Sequence, residues 1–180
     1  MASSSLQHQN IPGHLEPLLK LYRRLWLSRL DLEEAKGIAA ELLFRKIPLP
    51  RSKPPSSLLL ALNTALVVAY ARPFVNSRGV SVAEKAVPGS LLRVLSSEER
   101  EFHEALVDMR NKEVAHSDAD FIELFIELND GGDGGILRAT RQPFKRPAIR
   151  ALTRMIEKID GEIDRRCEEL RAKLPLNVWL

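Results

Sequence analysis

Apolar residues recur at steps of three and four along most of this chain, the period of helices buried on one side. Between Leu15 and Lys46, the residues Leu18, Leu21, Tyr22, Leu25 and Trp26 fall on one face, which predicts two helices or one with a bend. Asp31-Leu-Glu-Glu34 has the form of an N-terminal capping box, Asp31 accepting from the Glu34 amide, and predicts a helix start that carries through Leu42 and Leu43. Ile47 to Pro55 holds four prolines in nine residues and reads as a connector, since proline removes amide donors and fixes φ. Ser56 or Ser57 then caps a helix to about Tyr70, apolar on all sides as the centre of a bundle requires. Arg72-Pro73 ends it, because the residue before a proline disfavours α geometry. Gly79 to Gly89 reads as a loop.

Ser96-Ser-Glu-Glu99 is a second capping box. On the helix it opens, Phe102, Leu106, Met109 and Glu113 form one stripe, and His103, Val107, Arg110 and Val114 its neighbour. Residues 121–128 fit a strand or a turn or two of helix. The Asn-Asp-Gly-Gly-Asp-Gly-Gly that follows is turn chemistry, which favours a hairpin returning through Ile136–Arg141. Pro147 suits the first turn of a final helix. Ile149, Leu152, Ile156, Ile159, Ile163, Cys167, Leu170 and Leu174 continue that helix in steps of three or four. The predicted fold class is all-α: an antiparallel bundle of four to five helices with a short β-hairpin or loop insertion around 121–141. Residues 1–13 are expected to form a flexible polar leader, and 14–180 a single helical-bundle domain.

Composition adds few constraints. At 180 residues, with 44% hydrophobic and 28% charged side chains, the chain has ample length for one buried core. The run Leu58–Phe74 is short for a bilayer span and contains Asn63 and Thr64, so it is expected inside the bundle and not in a membrane. The single cysteine, Cys167, rules out an internal disulfide and points to a reducing, cytoplasmic setting.

Charge is more telling in its distribution than in its total of +3. Residues 42–83 carry Arg45, Lys46, Arg51, Lys53, Arg72 and Arg78 and no acid. Residues 134–156 carry Arg138, Arg141, Lys145, Arg146, Arg150 and Arg154, again with no acid. Between them, residues 98–133 hold twelve acidic and three basic side chains. Such segregation builds a basic face for a polyanion, or lets neighbouring helices neutralise each other. Arg72 is the only charged residue between Lys53 and Arg78 and follows an apolar helix. It is expected to pair with Asp108, Glu113, Asp118 or Asp120, since a buried ion requires a partner.

Candidate chemistry concentrates in Met109-Arg110-Asn111-Lys112-Glu113-Val114-Ala115-His116-Ser117-Asp118. Arginine carries a permanent charge suited to phosphate, and histidine moves protons near neutral pH. The run Arg110-Asn111-x4-His116 resembles the signature of the HEPN superfamily, small helical bundles that include RNA-cleaving toxins and defence components. Tyr70-Ala-Arg-Pro-Phe74 strengthens the resemblance to uncharacterised bacterial members. The resemblance implies metal-independent RNA cleavage, in which a ribose 2′-hydroxyl attacks the adjacent phosphorus and leaves a cyclic phosphate. Arg110 and His116 would be the catalytic pair, with Asn111 orienting them, in a site often completed by a second subunit. Arg72, His103 and Asp118 are supporting candidates.

Three physical points bear on that expectation. A six-residue step turns about 240° around a regular α-helix, so Arg110 and His116 share a face only if the helix changes near Val114 or the site spans two subunits. Asp108, Glu113, Asp118 and Asp120 flank the run and repel RNA unless basic segments fold over it. Arg110 can equally bridge those acids, His116 can cap a helix C-terminus, and His103 can be a packed histidine. The competing class is therefore a catalytically inert helical interaction or dimerisation module, with a protein partner. The long apolar stripe of the last helix predicts a homodimer. His8, His14, His103, His116 and Cys167 lack zinc spacing, Asp118-Ala-Asp120 is too short for a metal site, and no phosphate loop or nucleophile elbow is present. No metal and no cofactor are expected.

Overall fold

The computed structural model describes residues 12–44, 55–76, 83–114, 123–128, 135–140 and 143–175. Four α-helices make the body: α1 (Glu16–Phe44), α2 (Ser57–Ala71), α3 (Ser97–Met109) and α4 (Arg146–Arg171). Two strands, β1 (Glu123–Leu128) and β2 (Gly135–Thr140), pair antiparallel between α3 and α4, with Glu123 opposite Thr140 and Leu128 opposite Gly135. The all-α bundle with a hairpin insertion expected from the sequence is the fold found.

α1 is one continuous 29-residue helix and does not restart at Asp31. The apolar period already runs on both sides of Asp31, so no free amides exist there to be capped. Its buried face is Leu19, Tyr22, Leu25, Ser28, Leu32, Ala35, Ala39 and Leu42. Trp26, expected on that face, is 39% exposed, and the Arg29 guanidinium lies 5.6 Å from its ring centroid.

α2 starts where Ser56 Oγ accepts from the Leu59 amide. By length and composition alone, Ser57–Phe74 could cross a membrane. In this fold it is a core helix, with Leu59, Leu66, Val67, Ala69, Tyr70 and Ala71 buried. It continues into a 3₁₀ turn, Arg72–Phe74. A further 3₁₀ segment, Gly89–Val94, precedes α3 and buries Leu91; no apolar period announces so short an element.

α4 supplies the deepest stripe: Leu152, Met155, Ile156, Ile159 and Ile163 are fully buried. Burial of each contributes roughly 1.5–3 kcal/mol. This stripe packs inside the bundle, so it is not the free surface from which a homodimer was expected. Arg29 crosses the α1–α4 seam to Asp164 at 2.7 Å. Lys158 reaches Glu99 at the start of α3, also at 2.7 Å.

The buried polar atoms fix which ends of the helices meet. Asn63, on α2, donates to the Leu59 carbonyl and accepts from the Phe144 amide at 2.8 Å, pinning the approach to α4. Tyr70 meets His103 of α3 two turns further along α2. The turn that follows α3 also packs on α2. Because α2 ends at Ala71, that turn must lie toward Asn63. The C-terminal end of α3 and the N-terminal end of α4 therefore share one end of the bundle.

Candidate functional site

The motif helix α3 is set by its first turn. Ser96 Oγ accepts from the Glu99 amide at 3.2 Å, and Glu99 Oε2 accepts from the Ser96 amide at 2.8 Å, the reciprocal box its sequence predicts. Hydrogen bonds from Lys158 and then from the Ser96 amide hold the Glu99 carboxyl below its usual range. His103 and Leu106 are buried, and Phe102 and Met109 pack partly buried against the core.

Regular α geometry stops at Met109. The Arg110 amide is shared between the Leu106 and Val107 carbonyls, and Arg110–Val114 forms a π turn. π turns are rare, occur mostly as single turns within α-helices, and are frequent at functional sites. Here the change falls on the first residue of the Arg-Asn-x4-His run, where a regular helix would keep Arg110 and His116 apart. Arg110 Nη1 donates to Asn111 Oδ1 at 3.1 Å, its one partner among the described residues. The neighbouring Asp108 is held instead by Lys112, at 2.7 Å. Arg110 is thus a partly exposed cation oriented by an amide, not one neutralised by Asp108. His116 and Asp118 lie outside the described residues, as do Asp120 and the side chain of Glu113.

His103 is a core residue. Only 6% exposed, it meets the Tyr70 hydroxyl through Nδ1 at 2.8 Å, and its ring stands edge-on to Phe74 at 4.5 Å. Burial pushes the Tyr70 phenol well above its normal range and lowers His103, with Glu104 opposing the second shift. Burial keeps the phenol protonated and favours the uncharged imidazole, and the hydroxyl and Nδ1 share one hydrogen bond. Of the two readings of His103, supporting site residue and packed histidine, the structure agrees with the second: an imidazole flanked by two aromatic rings is sequestered from ligand.

Arg72 requires a correction. Its Nη1 lies 2.6 Å from Glu34 Oε2 and 3.3 Å from Asp31 Oδ1, both on α1, and not on Asp108, the one of the four expected partners whose side chain is described. The side chain is 43% exposed, not buried. Desolvation alone would lower its pKa, but the hydrogen bonds to Glu34 and Asp31 outweigh it and raise the value. Asp31 itself is raised by burial, against the pull of Arg72 and Arg24. The Tyr70–Phe74 segment does touch the motif helix, through its two aromatic rings and His103 rather than through Arg72.

Two positions carry structure that the sequence reading did not single out. Arg24, 5% exposed on α1, donates from Nη2 to the Arg72 carbonyl at 2.8 Å and so caps the end of α2. Burial lowers its pKa, with Asp31 opposing. Its signal was faint: Arg24 lies one turn before Ser28 on the buried face. Asn63 was visible only as an interruption in an apolar run. Burial pushes the Cys167 thiol up to about 11, leaving it a poor nucleophile. Among the described residues no group of three His, Cys, Asp or Glu side chains gathers as metal ligands.

No protein-family model matches the chain, and neither a curated protein nor a solved structure matches it.

Proposed function

We propose that this chain is a HEPN-like helical domain that binds RNA and cleaves it by metal-independent transesterification, in a cytoplasmic toxin or defence setting. The observation that carries the reading is the π turn at Arg110. It presents a guanidinium held by Asn111, with no described carboxylate upon it, at the point where the Arg-Asn-x4-His run leaves the α-helix. In this reading Arg110 stabilises charge on the phosphate oxygens, and His116 moves the 2′-hydroxyl proton toward the departing 5′-oxygen, the P–O5′ bond breaking as the P–O2′ bond forms. A homodimer brings two such sites together.

The alternative is a catalytically inert interaction or dimerisation module. It is favoured by Trp26, Leu27 and Leu30, which α1 leaves 39%, 49% and 56% exposed. Incubating the purified protein with RNA in EDTA separates the two readings. Cleavage by the wild type, abolished in Arg110→Ala and in His116→Ala with both variants folded, is the expected result. An intact RNA pool, with a folded wild type, overturns the catalytic reading and leaves the interaction module.

A further inference from the structure

The two long-range helix starts in this bundle are built in opposite ways. α3 has a full capping box, and its first turn carries Glu98 and Glu99, which suit the positive end of a helix dipole. α4 has Lys145 at its N-cap with no side-chain cap, no acid in its first turn, and Arg146, Arg150 and Arg154 along its first half. Cations at that end oppose the dipole and each other, so this arrangement does not serve stability. Local rules broken without a structural gain concentrate at functional or strained sites.

The three arginines follow each other at four-residue steps, rising about 6 Å per step on adjoining parts of the helix surface. Arg150 and Arg154 are exposed and Arg146 partly so. Neither Arg146 nor Arg150 has an ion pair or hydrogen bond with a described residue. Arg154 lies within electrostatic reach of Glu99, a carboxylate already engaged by Lys158 and the Ser96 amide. The second half of α4 is a contrast: Arg165 and Arg166 are both tied to Glu162, and Arg165 also to Glu169. Through Asn63 and Phe144, the upper end of the arginine row shares an end of the bundle with the Arg110 turn.

Resting on the reading of the domain as an RNA-binding one, we infer that Arg146, Arg150 and Arg154 form a track for the phosphate backbone of single-stranded RNA, leading to Arg110. Successive cations a helical turn apart match a chain of successive phosphates, and a flexible single strand can follow the curve of the row. The track also supplies the positive charge that offsets the acids flanking the motif. It contacts backbone and not bases, so it is indifferent to sequence.

The test is binding of a fluorescently labelled oligouridylate, followed by anisotropy across a salt series. Three proteins are compared: wild type, R146Q/R150Q/R154Q, and a charge-matched control, R165Q/R171Q/K173Q. The expected result is at least a tenfold loss of affinity in the first variant alone. Its log–log salt slope should be shallower by about 2, at roughly 0.7 per lost single-strand phosphate contact. Removing cations from the positive end of a helix should leave its melting temperature unchanged or raised, which checks folding. Equal weakening in both variants, or binding by the first variant as tight and as salt-dependent as wild type, overturns the track while RNA binding stands. A wild type that ignores RNA but binds phosphatidylserine vesicles through the row overturns the RNA reading itself.

Discussion

Burying His103 against Tyr70 and Phe74 places a neutral imidazole in the core and couples folding to pH. Burial lowers its folded pKa below the ordinary 6.5, so the stability it contributes is fully present above that value. That stability is lost as pH falls from about 6.5 toward the folded value, because the unfolded chain takes up the proton first. Asp31 and Asp160, raised by burial, act in the opposite sense, their contribution being lost as pH rises through their raised values. The wild-type denaturation midpoint should therefore fall between about pH 7 and 5.5. In His103→Gln, which keeps a polar group toward Tyr70, that limb should flatten even if the variant starts lower. Parallel limbs in the two proteins would contradict a buried neutral histidine. At this scale the sequence carried the candidate chemistry of Arg110 and Asn111 but not the roles of Arg24 and Asn63. Those depend on partners 48 and 81 residues away.

Secondary structure was legible where a period of three or four ran long enough, as in α4, where an apolar run lay between a cap and a proline, as in α2, or where a cap stood before a fresh start, as at Ser96. Asp31-Leu-Glu-Glu34 shows how the same pattern misleads. Two acids three residues apart form a capping box at a helix start and an acidic clasp in mid-helix, and only the partner distinguishes them. Here the partner is Arg72, and the clasp ties α1 to the end of α2. With Arg72 and Glu34 both nearly half exposed, the pair is worth little. An Arg72→Ala/Glu34→Ala double-mutant cycle should give a coupling of about 0.2–1 kcal/mol. The corresponding cycle with Asp108→Ala should give none, and urea denaturation measures both. A larger coupling to Asp108 would return Arg72 to the motif helix.

Across the whole molecule, the uneven charge seen along the sequence gains a direction. The acid-free first turns of α4, 146–156, and the Arg110 turn lie at the same end of the bundle, whereas α4's second half is stitched internally by ion pairs. The sequence displayed both segments, but that placement arises because Asn63 fixes Phe144 and the π turn also packs on α2. In the proposed reaction RNA is cut by its own 2′-hydroxyl, with Arg110 and His116 as the groups that act. This is tested most directly by mass analysis of the products from two matched oligonucleotides, one all-ribose and one 2′-deoxy at the cleaved nucleotide, both in EDTA. The account predicts a 2′,3′-cyclic phosphate end from the all-ribose strand and no cut at the deoxy position. Cutting of the deoxy strand at the same site, or a 5′-phosphate on the downstream product, would contradict it.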